Sequence, residues 1–184
     1  EGESGAPKLR EAVRAALDAV ATHKPKPRSP SYSRYDFTAW DSPEEHAWHS
    51  AARLLLDLDA QGEVRRAAPA FVKLIDTEHE AARDPWLVTR RKWFERLGGA
   101  QLLSVSLDFW KAHIVRRVPD PSTAQSSSYE TNVEWFVAVR ELNPAASDVL
   151  LAQWATQHKN RKNLWKAMAA RKMPVPAGVT RPKR

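Results

Sequence analysis

The chain reads as an all-α protein, an irregular multi-helix bundle or a stack of helical hairpins that ends in a mobile basic tail. Three observations predict this class. Nearly every periodic stretch repeats its apolar residues at three- and four-residue spacing. Those stretches are bracketed by Ser or Thr caps, first-turn prolines and Gly or Asn-Pro stops. An apolar fraction of 42% with eight Trp supplies the material for a packed core. At 184 residues the chain has the length of one ordinary domain.

The elements follow in order. An N-terminal helix near Lys8 to Ala21 precedes a basic, Pro-rich linker (residues 24–34), and the two together make an N-terminal segment, residues 1–34. The helical domain proper is expected over residues 35–172. Ser42, Pro43 and Glu45 supply a cap, a first-turn proline and a carboxylate able to reach back to the cap amide, so a helix runs from Ser42 to about Ala60 and stops at Gly62. Ala47, Trp48, Ala51, Leu54, Leu55 and Leu58 fall on one of its faces. Pro69 either kinks the next helix or marks its first turn, ahead of Phe71, Leu74 and Ile75. Asp84 and Pro85 open another, with Trp86, Trp93, Phe94 and Leu97 facing inward and Gly98-Gly99 ending it.

A fourth helix, Ala100 to about Arg117, places Leu103, Leu107, Trp110 and Ile114 on one face. Residues 119–128 (PDPSTAQSSS) lack apolar periodicity and read as a flexible loop. Thr131 and Glu134 suggest a second capping box before Trp135, Val139 and Leu142. Asn143-Pro144 ends that helix and begins the next, which carries Leu150, Leu151 and Trp154. A last helix spans about Arg161 to Lys172. The segment 173–184, with three Pro and one Gly, is expected to be an extended basic tail. No fixed repeat emerges.

Charge is the loudest functional signal. The chain holds 29 Lys and Arg against 22 Asp and Glu, for a net charge of +7. Nine of those bases (Lys159, Arg161, Lys162, Lys166, Arg171, Lys172, Arg181, Lys183, Arg184) fall after residue 148, where there is no acid at all. A positive potential so concentrated attracts polyanions. On the last helix Leu164, Trp165, Met168 and Ala169 make a narrow apolar stripe flanked by Lys162 and Lys166 on one side and Arg171 on the other. The helix can therefore dock and still display charge. The bland alternatives are a solvated amphipathic helix whose Arg171 and Lys172 complement its dipole, and a helix lying on a membrane surface.

A second basic patch joins Arg90, Arg91, Lys92 and Arg96 to Trp93 and Phe94. Aromatics among cations suit the stacking of single-stranded bases. However, Trp86, Trp93 and Leu97 share one face of their helix, which argues that these rings are buried, as it does for Trp48, Trp110, Trp135 and Trp154.

Little points to catalysis. Without Cys, disulfides, thiolate catalysis and thiolate-ligated zinc are excluded, and the redox compartment is undetermined. No Gly-x-Ser-x-Gly elbow and no Gly-rich phosphate loop is present. Glu45 and His49, and Asp76 and His79, have helical spacing for metal ligation, but His46 and His49 fall opposite the centre of the apolar face. His113 beside Phe109, Trp110 and Arg117 is the least implausible catalytic group, although a hydrogen-bonded buried imidazole is far commoner. No apolar run approaches a membrane span.

The expectation is a non-enzymatic, soluble, intracellular nucleic-acid-binding protein without cofactor or metal. It would hold phosphates through the nine C-terminal bases, with Arg90, Arg91, Lys92 and Arg96 as a secondary patch. Whether the ligand is RNA or DNA is not legible. The alternative is a helical interaction module that meets an acidic protein partner, or a structural subunit of a larger assembly such as a ribonucleoprotein.

Overall fold

A computed structural model describes residues 5–22, 43–76, 84–124, 128–177 and 179. Nine α-helices occur among them and no strand. They are α1 (Gly5–Thr22), α2 (Pro43–Leu58), α3 (Glu63–Ala67), α4 (Pro69–Ile75), α5 (Leu87–Arg96), α6 (Gly99–His113), α7 (Glu130–Leu142), α8 (Pro144–Gln157) and α9 (Lys162–Ala170). Short 3-10 turns follow α6 at Ile114–Arg117 and cover Pro121–Thr123. The fold is all-α, as its periodicity predicts. Contacts divide the chain into two units, one of residues Glu1–Gln61 and Ile75–Phe109, the other of Gly62–Leu74 and Trp110–Arg184.

In the first unit α2 behaves as its pattern requires. Trp48, Ala51, Leu55 and Leu58 are buried, together with Ala52, and the Trp48 ring meets Phe109 of α6 at a centroid distance of 5.5 Å. Helix α1 contributes Leu17 and Ala21 to the buried set. On α6 the buried positions are Leu102, Ser106, Phe109 and Trp110, while Leu103 and Leu107 are only half-buried. Trp110 and the following Ile114 are thus buried as expected, and Leu102 and Ser106 take the places expected of Leu103 and Leu107.

Helix α5 departs furthest from expectation. None of its residues is buried. Trp86 and Trp93 are 66% and 63% exposed, so the inward placement of both is overturned. The half-buried positions are instead Leu87, Arg90, Arg91 and Phe94. An ion cluster lies beside this face. Asp57 at the end of α2 and Asp84 before α5 keep only 6% and 9% of their side chains exposed. Arg90 answers both carboxylates, through Nε to Asp57 Oδ2 at 2.8 Å and Nη1 to Asp84 Oδ2 at 2.6 Å, and Arg53 pairs with Asp84 as well. Buried carboxylates left without such partners would cost several kcal/mol. Gly98, at φ 85, supplies the left-handed residue that lets the chain leave α5 and enter α6 at once.

The second unit is built from hairpin packing. Asn143 closes α7 and caps α8, its Oδ1 accepting from Ala146 N at 3.1 Å with Pro144 at the first helical position. Across this hairpin Phe136 and Trp154 pack at 5.5 Å between ring centroids. Pro69 proves to be the first residue of α4 and kinks nothing. The amides of Ala70 and Phe71 donate to Glu141 Oε2 at 2.7 and 3.2 Å, so a carboxylate of α7 sits at the positive end of α4. Phe71 also meets Trp110 edge-on at 5.2 Å.

Two local expectations change here. The residue that caps α7 is Tyr129, without a side-chain cap bond, and the Thr131/Glu134 capping box does not form. Residues 119–124 are a packed turn: Asp120 Oδ1 accepts from Ser122 N at 2.6 Å, Pro121 is buried, and Asn132 Nδ2 donates to Pro119 O at 2.8 Å. Residues 125–127 of that predicted loop lie outside the described residues, as does the linker at 24–34.

Helix α9 docks by its stripe. Leu164, Trp165 and Met168 are completely buried, and the Trp165 Nε1 donates to His158 O at 3.1 Å. Ala169 belongs to the exposed side. Trp165→Ala should therefore destabilise the isolated chain by about 3 to 5 kcal/mol, the usual cost of emptying a large aromatic site. Thermal and urea melts of the variant check this, and an unchanged midpoint would show that the stripe waits for another protein.

Candidate nucleic-acid interface

The docking of α9 fixes where its charges go. With the stripe turned inward, Lys162 and Lys166 stand one helical turn apart in solvent, and Lys159 is exposed in the turn that joins α8 to α9. Past the helix, Arg171 and Lys172 are exposed as well. Lys172 takes the left-handed conformation at φ 57, and its amide and that of Met173 donate to Ala169 O and Met168 O at 3.0 and 2.9 Å. That pair of bonds is the Schellman closure of a helix C-terminus. Among the described residues, Lys159, Lys162, Lys166 and Lys172 meet no carboxylate within ion-pair distance.

Two of the predicted bases are engaged within the unit. Arg161 is half-buried at the start of α9, and its Nη1 donates to the Tyr129 hydroxyl at 3.0 Å. Arg171 lies 3.5 Å from Glu134 Oε1, and an exposed pair of that length is worth little. Arg181, Lys183 and Arg184 lie outside the described residues. Of the segment expected as an extended tail, Met173 to Ala177 is non-helical, and Val179 is buried.

The secondary patch separates into two roles. Arg90 is committed to Asp57 and Asp84, and Arg91 is half-buried with its Nε enclosed and lacking a partner. Lys92 and Arg96 are exposed. The Asp57/Arg90/Asp84 cluster is not legible from spacing, because Asp57 is 33 residues from Arg90. The nearest signal was the presence of two acids, Asp57 and Asp59, at the end of an apolar helix, where both are buried.

Other groupings offer less. Among the described residues no set of three His, Asp or Glu side chains could hold a metal ion. His79 of the Asp76/His79 pair lies outside the described residues, and His113 is half-buried. A groove of about 600 Å³ in the first unit runs between α1 and α6, lined by Arg10, Glu11, Arg14, Ser104 and Asp108 among others, with its charges nearly balanced. None of the described helices is long and apolar enough to cross a membrane.

Beside the lysines stands a titrating pair that sequence spacing did not single out. His158 is 8% exposed, and its Nε2 lies 3.6 Å from Asp120 Oδ1. Burial pushes the imidazole below its ordinary 6.5, with Arg161 acting in the same direction and Asp120 against it. Asp120 is itself held below 3.8, chiefly by the Ser122 amide and hydroxyl. Comparison with protein-family models, with curated proteins and with solved structures yields no match for this chain.

The His158 shift carries a pH dependence of stability. Because its folded pKa is lowered, the unfolded chain binds the proton more readily, so this contribution is fully present above about pH 6.5 and is lost as the pH falls below it. Asp120 contributes nothing in that window, since its own loss comes only at more acid pH. Urea melts between pH 7.5 and 5 should show falling stability, and His158→Gln should flatten that slope. An equal slope in the variant would assign the effect to other groups.

Proposed function

We propose that this protein binds nucleic acid through phosphate contacts made by the exposed lysines around α9. The observation that carries the reading is the combination on one short helix of a fully buried Leu164/Trp165/Met168 stripe and exposed Lys162 and Lys166 that meet no carboxylate among the described residues. A docked helix presents its cations without further backbone ordering, and a phosphate backbone is the ligand whose repeating charge rewards such a row. Lys159 and Lys172 extend the row at either end, and Arg171 adds a loosely held guanidinium. The C-terminal Arg181, Lys183 and Arg184 add charge of the same sign. The binding is independent of base sequence, since nothing in the row is built for bidentate readout of base edges.

The alternative of an assembly subunit draws less support, because the apolar stripe it would have used for docking is already occupied within its own unit. The bland reading of a solvated face explains the exposure of Lys162 and Lys166 but not the absence of any acid from residue 149 onward.

Salt titration tests the proposal. If Lys159, Lys162, Lys166 and Lys172 each neutralise one duplex phosphate, log affinity should fall against log salt with a slope on the order of −4. Replacing Lys159, Lys162 and Lys166 by Ala should reduce that slope by about three-quarters, at about 0.9 per contact, while the melting temperature stays put. Binding that keeps its slope in the triple variant would remove α9 from the interface.

A further inference from the structure

Trp86 and Trp93 at α5 lie largely in solvent, and that reverses the objection to a stacking role for them. Trp86 stands at the cap of α5 and Trp93 seven residues later, so they occupy the same side of the helix about two turns apart. They are 66% and 63% exposed, whereas Trp48, Trp110, Trp154 and Trp165 are no more than 3% exposed. Indole rings of this size are normally buried. Two such rings on one helix edge call for an occupant.

The chemistry around them selects its kind. Arg96 and Lys92 flank the two rings on one side of the helix and are exposed. Arg90 flanks them on the other, tied to Asp57 and Asp84. Among the described residues the neighbouring acids are accounted for: Asp57 and Asp84 are nearly enclosed and paired, and Glu95, two residues beyond Trp93, falls on the opposite side of the helix. The exposed face therefore combines flat aromatic surfaces with uncompensated positive charge. Thr89 stands between the rings in place of an aliphatic residue. A membrane-surface helix or a protein hot spot would need the rings to continue into an apolar patch. Separate rings interleaved with cations instead match the platforms on which unpaired bases stack while Lys and Arg follow the backbone.

We propose that the Trp86/Trp93 edge of α5 is a stacking surface for the bases of single-stranded nucleic acid, with Lys92 and Arg96 holding its phosphates. The inference rests on the nucleic-acid reading of the protein, but it uses a different surface and makes a different distinction. The lysines of α9 meet any phosphate backbone. The rings of α5 reward only a strand whose bases are free, because a duplex keeps its base faces stacked on one another.

The experiment compares a 15-nucleotide oligothymidylate with a DNA hairpin duplex of similar length, using the full chain, the Trp86→Ala/Trp93→Ala double variant and the Trp86→Phe/Trp93→Phe double variant. Since both positions are exposed, melting temperatures should match the wild type. The alanine variant should lose on the order of tenfold or more in affinity for the single strand, with duplex affinity held within about twofold, and the phenylalanine variant should recover most of the loss. Tryptophan fluorescence of the wild type should be quenched by the oligothymidylate, and the quenching should vanish in both variants. Equal losses on strand and duplex, or an unchanged single-strand affinity, would overturn stacking and leave the α9 phosphate contacts standing. A wild type that binds neither probe at low salt would overturn both readings. Quenching by phosphatidylserine vesicles without any response to the oligothymidylate would overturn this one in favour of a membrane surface.

Discussion

Two carboxylates that are almost out of water set the terms for the first unit. Asp57 and Asp84 each retain less than a tenth of their side-chain exposure, and Arg90 reaches both at hydrogen-bonding distance. Desolvated carboxylates cannot be left alone, and the guanidinium of Arg90 satisfies both. The half-buried face of α5 is made by Leu87, Arg90, Arg91 and Phe94. At about 100° per residue Trp86 and Trp93 fall at the edge of that face, next to Arg90, and stay largely in solvent. The network also draws Arg53 of α2 and the turn at Asp84 into the same small cluster, where the Asp84 carboxylate accepts from Trp86 N at 2.8 Å.

The second unit solves many of its polar problems with single hydrogen bonds. Its helices meet through whole apolar stripes, and the polar atoms that become trapped find partners close by. The Trp165 Nε1 takes the His158 carbonyl, the Asn143 Nδ2 takes Lys111 O at 2.8 Å, and Glu141 receives two amides at the start of α4. The result is a scaffold in which α9 has one way to dock. That docking turns Lys162 and Lys166 to solvent on one side of α9, and under the proposed function this row would meet phosphates while the α5 edge would meet unpaired bases.

The difference between the units explains what the sequence disclosed. Period, prolines and Asn143 located nearly all the helices, because each of those signals acts within a few residues of its effect. The burial of Leu55, Leu150, Trp154, Leu164, Trp165 and Met168 was legible for the same reason, since each lies at the centre of a stripe with no competing charge. The pairing of Arg90 with Asp57 was not legible, because Asp57 belongs to a different helix. The burial of Leu102 in place of Leu103 escaped because the two are adjacent apolar residues, and a wheel alone does not choose between neighbouring faces. The basic row was visible as composition, but its members divide by geometry, Arg161 being held by Tyr129 while Lys162 and Lys166 are not. The pairing of His158 with Asp120 crosses a loop, and no periodicity reports on it.

Lys172 shows a tension between conformational ease and electrostatic display. A side chain at φ 57 strains a backbone that glycine would occupy freely, at a cost of about 1 kcal/mol for an L-residue. Exchanging it for glycine would relax the end of α9 and take a cation from the surface in the same step. Backbone ease and surface charge are therefore traded against each other at this single peptide unit, and under the proposed function the glycine variant would gain stability while losing one phosphate contact.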